Sequence, residues 1–136
     1  MVIVDTSVLF ALFDTDEPDH AKVGNLLARD VGPLVVSPYV VAELDHLMTS
    51  RIGARGELLG LRELNGGAWD LAGFGREELT AAIALIEKYP DQNIGFTDAS
   101  IVVLAKRFGT KTVATLDRRH FDVLRPLDGG RFTIVP

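Results

Sequence analysis

The chain has 136 residues, 47% hydrophobic and 24% charged, with no cysteine and a net charge of -5. That length reads as one domain over residues 1–136, able to bury about two thirds of its unfolded surface. The missing cysteines exclude disulfides and thiolate metal sites, and the acidic balance excludes a protein that coats nucleic acid through a general basic surface.

The N-terminal run Val2-Ile3-Val4 is a short apolar strand of the kind buried on both faces in a parallel sheet. It stops at Asp5-Thr6-Ser7, whose side chains suit the start of a helix over about residues 8–13. The break at Asp5 and the absence of a basic leader argue against a signal peptide. No segment approaches the roughly 20 apolar residues that cross a bilayer, so the expectation is a cytoplasmic protein. After an acidic turn, a helix is expected over residues 18–29, with Pro18 in its first turn. Leu34-Val35-Val36 is a second buried strand. Ser37-Pro38 opens a helix over residues 38–51, with an apolar stripe of Val40, Val41, Leu44, Leu47 and Met48.

Gly53 separates a further helix over residues 54–64, and Asn65-Gly66-Gly67 makes a turn. Residues 68–72 read as a third strand and residues 76–89 as a helix stopped at Pro90. Thr97 is expected to cap a helix running to Phe108, closed by Gly109. The strand over residues 111–116 then delivers Asp117 at its end. A short basic stretch, residues 118–124, leads through the turn Asp128-Gly129-Gly130 to a final edge strand over residues 131–135. Strands alternating with helices give an α/β fold, a mainly parallel central sheet flanked by helices.

Ligands of open α/β sheets gather outside the carboxyl ends of the strands. Asp5 and Asp117 both follow apolar strands and are expected at that edge. Each could instead cap a helix or turn. Asp98 lies in the first turn of its helix, where the dipole favours a negative charge, yet it also continues the buried stripe through Ile101 towards the sheet edge. Glu43 and Asp45 border the apolar stripe of their helix from opposite sides, and periodicity does not choose between them. With four of its 19 carboxylates committed to a cation, the chain would be neutral to within one charge of its 14 basic residues. His20, His46 and His120 share no metal-ligand spacing and read as surface or capping residues. Arg118 and Arg119, beside Asp117, are candidates to meet a phosphate. No nucleophile elbow and no phosphate loop is present.

Taken together, V-I-V-D-T-S at Asp5, S-P-Y-V-V-A-E-L at Glu43, T-D-A-S at Asp98 and T-L-D-R-R-H-F at Asp117 resemble the PIN-domain proteins, in particular the toxin ribonucleases of VapBC-type toxin–antitoxin pairs. The resemblance spans nearly the whole chain and implies a PIN-like three-layer fold. It also makes Asp5, Glu43, Asp98 and Asp117 an acidic catalytic quartet, with Glu43 preferred over Asp45. Asp5, Asp98 and Asp117 are then the metal ligands, with Thr6, Ser7 and Thr115 as polar supports around them. It implies Mg²⁺, with Mn²⁺ able to substitute, and hydrolysis of a structured RNA, a tRNA or rRNA loop, by metal-activated water. It further implies a homodimer and an inhibitory antitoxin.

Three other readings compete. A phosphoacceptor signalling domain needs an acidic pair after the first strand and a lysine ending a late one, whereas Asp5 stands alone and Lys111 begins its strand. A haloacid-dehalogenase-type phosphatase needs Asp-x-Asp, and Ser7 holds the second position. A non-catalytic binding module would use the carboxylates only as caps.

Overall fold

A computed structural model describes residues 1–136. Its centre is a five-stranded sheet in the order β3-β2-β1-β4-β5. The strands are β1 (Val2–Val4), β2 (Leu34–Val36), β3 (Asp70–Leu71), β4 (Thr112–Ala114) and β5 (Thr133–Val135). All four pairings are parallel, with Ile3 opposite both Val35 and Val113. Parallel neighbours need crossovers, and helices supply them: α1 (Thr6–Phe13), α2 (His20–Leu27), α3 (Pro38–Arg51), α4 (Gly53–Leu64), α5 (Arg76–Lys88), α6 (Phe96–Phe108) and the short α7 (Arg118–Phe121).

Strand order reverses at β1. The chain steps outward on one side to β2 and β3, then returns to β4 and β5 on the other. Right-handed crossovers therefore put α1 to α4 on one face of the sheet and α5 and α6 on the other. The crevice between β1 and β4, at their carboxyl ends, is the topological switch point where such sheets bind ligands.

Thirty buried hydrophobic residues form one core. Ile3, Val4, Val35, Val36, Val113 and Ala114 are all fully buried, as expected of strands covered on both faces. Helix α6 is buried without interruption from Ala99 to Ala105, so its one-sided stripe in the sequence understates its position. Glycine is required at two helix ends: Gly53 has φ 79° between α3 and α4, and Gly109 has φ 68° where α6 stops.

Several expected boundaries move. Helix α1 begins at Thr6 rather than Val8, and α2 begins at His20, leaving Pro18 in the turn before it. Helix α6 begins at Phe96 with Gly95 as N-cap, so Thr97 lies inside the helix and does not cap it. The third strand is only Asp70–Leu71, because edge pairing with β2 supports no more. Strand β4 ends at Ala114, two residues short of Leu116, so Asp117 belongs to the cap of α7 rather than to the strand end.

Candidate active site

The carboxyl ends of β1 and β4 and the N-terminal halves of α3 and α6 surround a cleft of about 460 Å³. Asp5, Glu43, Asp98 and Asp117 all line it, together with Thr6, Ser7 and His120. Asp45 does not. It sits on the other flank of α3, facing Glu57 of α4, whose pKa its proximity raises. The ambiguity between Glu43 and Asp45 is thus resolved by which way α3 rolls when Val40, Leu44 and Met48 enter the core.

Asp5 is the most tightly held of the four. Its backbone N–H bonds the Ala114 carbonyl at 2.9 Å, continuing the β1–β4 ladder. Oδ1 accepts from the Thr6 backbone N–H at 2.8 Å, while Oδ2 accepts from the Thr115 hydroxyl at 2.7 Å and the Ser7 hydroxyl at 3.2 Å. Thr6 therefore contributes its backbone, and its own hydroxyl is buried without a partner. The Thr115 hydroxyl also accepts from the Asp117 N–H at 3.0 Å, and Ser7 accepts from the Leu116 N–H at 2.9 Å. These bonds tie the loop after β4 to the end of β1. Burial raises the Asp5 carboxyl above its ordinary pKa, against the pull of the three hydrogen bonds, and the charge of Glu43 adds to the rise.

Asp98 stands in the first turn of α6, and its carboxyl is pushed up to about 6. Burial is the main cause, followed by the negative charge of Asp5, and His120 works in the opposite direction. His120 Nδ1 donates to Asp98 Oδ2 in a short contact. His120 had read as a surface or capping residue, and no spacing rule joins positions 98 and 120. Their meeting depends on α7 folding back over the start of α6.

Asp117 caps α7 by accepting from the Arg119 N–H at 3.2 Å. The Arg119 guanidinium grips both carboxylate oxygens at 3.2 Å and holds the carboxyl below its ordinary pKa. Arg119 is thereby engaged with Asp117, and Arg118 donates to the Pro136 carbonyl at 3.3 Å. Of the other histidines, His20 bonds the Ala11 carbonyl at 2.8 Å and His46 is exposed. Lys111 lies at the opposite end of β4, donating to the Gly129 carbonyl at 2.7 Å, so no lysine meets Asp5 as a phosphoacceptor site would require.

Three of the cleft carboxylates are aspartates with short reach, and no lysine lines the cleft. Oxygen donors of this kind suit a hard divalent cation, which would also offset the burial, and the lesser mutual repulsion, that raise Asp5 and Asp98. As they stand, no three His, Cys, Asp or Glu side chains are grouped so as to hold a metal ion. A hard divalent cation that keeps several of its waters takes only a few protein ligands.

A family model described as the PIN domain matches residues 2–125. The chain is 56% identical over 135 residues to "Ribonuclease VapC26" of Mycobacterium tuberculosis, covering 99% of this chain and 100% of that protein. Among solved structures it resembles Mycobacterium tuberculosis VapC20, described as a Sarcin-Ricin loop cleaving toxin. There the TM-score is 0.78 at 18% identity, over 83% of this chain and 87% of the other. VapBC2 from Rickettsia felis, bound to a DNA fragment from its promoter, gives a TM-score of 0.73 at 16% identity over the full length of both chains. At these identities the two structures establish the fold alone.

Proposed function

This chain belongs to the PIN-domain family, among its VapC-type toxins, and on that premise we propose that it is a toxin ribonuclease hydrolysing RNA phosphodiesters at the Asp5–Asp98 cleft. One observation carries the reading: four carboxylates from four separate segments line one cleft at the switch point of the sheet, with Asp5 buried among hydrogen-bond donors. Burying a carboxylate is unfavourable unless something compensates it. A cation and a substrate phosphate would compensate several at once.

Asp5, Asp98 and Asp117 would hold the cation, Mg²⁺ or Mn²⁺. Bound there, it supplies positive charge against the charge developing on the scissile phosphate and favours a nucleophilic water. The protein's own part is positioning. Thr115 and Ser7 fix Oδ2 of Asp5, so that carboxylate does not rotate away as charge moves. Glu43, exposed on α3 at the cleft, is placed to orient the attacking water and take its proton. Water attack at phosphorus breaks the bond to the leaving ribose oxygen without a covalent enzyme intermediate. Arg119 restrains Asp117 until RNA arrives, and is close enough to exchange that carboxylate for a backbone phosphate.

An RNA without its cation would meet four carboxylates, with Arg119 already engaged by Asp117, so binding and cleavage depend on the metal together. The substrate is a structured RNA, a tRNA or rRNA loop whose unpaired bases leave the backbone free to enter. A cognate antitoxin blocks the cleft, and two copies of the chain form a homodimer.

Induced expression of wild type and Asp5→Asn, with mapping of new RNA 5′ ends, tests the proposal. Wild type should arrest growth and leave discrete cuts, both absent with Asp5→Asn. Arrest that survives the substitution would transfer the activity to another surface and revive the binding-module reading.

A further inference from the structure

We propose that His120 is a positioning residue of this site: its Nδ1–H holds Oδ2 of Asp98 and so leaves Oδ1 facing the cleft for a divalent cation. The inference rests on the cation-site reading above and extends it to a residue outside the acidic quartet.

The hydrogen bonding of the two central aspartates is unequal. Asp5 has three donors from three residues, which leave its carboxylate no freedom. Asp98 has one, from His120. Its helix begins at Gly95, which has no side chain to offer, and nothing else on α6 bonds the Asp98 side chain. An aspartate held by a single bond takes its orientation from that bond, so whatever fixes the donor fixes the ligand.

The donor is well fixed. His120 is carried by α7, which is capped by Asp117 and seated on the core through Phe121, 3% exposed and edge-to-face with Phe132 at 6.0 Å between ring centres. Asp117 and His120 therefore ride on one short helix, and the loop before that helix is tied to Asp5 through Thr115. A carboxylate only accepts, so the bond makes Nδ1 the protonated ring nitrogen. Nε2 has no protein partner, and the ring lines the cleft. An ordinary exposed ion pair would contribute little and tolerate replacement. A hydrogen bond that aims a metal ligand is different, because its loss typically weakens metal binding about 10–100-fold.

Mn²⁺ binding to the full chain, measured by calorimetry at one fixed pH and ionic strength, decides the matter. His120→Asn keeps an N–H where Nδ1–H stands, and His120→Phe keeps the ring but removes the donor. His120→Phe should bind Mn²⁺ at least about tenfold more weakly, while His120→Asn should stay within about threefold of wild type and recover most of the RNA kcat with KM unchanged. Melting curves establish that each variant is folded, and His120→Leu replaces His120→Phe if the latter is not. A donorless variant that binds Mn²⁺ as tightly as wild type, or an Asn variant as weak as it, overturns the positioning role. The underlying cation-site reading fails in a distinguishable way: wild type then binds no Mn²⁺, or Asp98→Asn leaves its affinity unchanged.

Discussion

Asp5 and Asp98 are both raised, and both for the same leading reason, yet they make different predictions. Asp5 is fixed by hydroxyls that remain when it is changed to asparagine, so Asp5→Asn should stay folded. It should lose at least about two orders of magnitude in cleavage, the rate equivalent of several kcal/mol of lost charge stabilisation. A cleavage assay beside a melting curve checks both. Asp98 gives a pH dependence. Its carboxyl titrates at about 6 in the folded chain against 3.8 for the free side chain, so the folded state binds more protons between those values. Stability from this group is then fully present below about 3.8 and lost as pH rises through about 6. In EDTA, wild type should melt higher at pH near 5 than near 7.5, and Asp98→Asn should flatten that difference. Added Mg²⁺ should raise the melting temperature more at the higher pH, where the carboxylates are ionised. Asp5 was legible as a residue because its strand is three β-branched residues long and stops abruptly. His120 was not, because its role comes from a partner 22 positions away.

Among the elements, α3 and α6 carry Glu43 and Asp98 and are pinned to each other by a buried polar pair. The hydroxyls of Ser37 and Ser100 lie 2.8 Å apart, both fully buried, and Ser100 also donates to the Thr97 carbonyl at 2.6 Å. Ser37 accepts from the Tyr39 N–H at 3.1 Å as the N-cap of α3. Ser37→Ala removes the cap and the bridge together and should cost about 1–2 kcal/mol in a denaturant titration. It should also weaken Mn²⁺ binding, since the two helices lose their common anchor beside the cleft. At the far end of α6, Gly109→Ala places a Cβ at φ 68° and should cost about 1 kcal/mol with no effect on metal affinity. The Ser37-Pro38 cap and the Gly109 stop were readable because each acts within its own few residues. The start of α6 lies two residues before the expected one, since Thr97 looks like a cap and the residue that caps, Gly95, has no side chain.

In the whole molecule, the core and the site are separable. Thirty hydrophobic residues bury one another in one core, and none of the cleft carboxylates is among them. EDTA should therefore abolish RNA cleavage while leaving the far-UV circular dichroism unchanged, and Mn²⁺ should restore activity. Loss of structure on chelation would mean that the cation holds the fold together. The acidic net charge is consistent with this division, because much of it faces one cleft. No helix is long and apolar enough to cross a membrane.

The sequence by itself determined the α/β class, the buried strands at Val2, Leu34 and Thr112, and the four segments that carry the acidic residues. Hydrophobic period, proline and glycine act locally, so they are written locally. Periodicity left Glu43 and Asp45 open and the family resemblance preferred Glu43, but the roll of α3 that puts Glu43 at the cleft is set by what the helix packs against. Only the tertiary structure turned Arg119 onto Asp117 and brought His120 to Asp98, because the crossovers of a parallel sheet join residues far apart in the chain. The switch point between β1 and β4 is where those long connections converge, and no local pattern in the sequence records which side chains meet there.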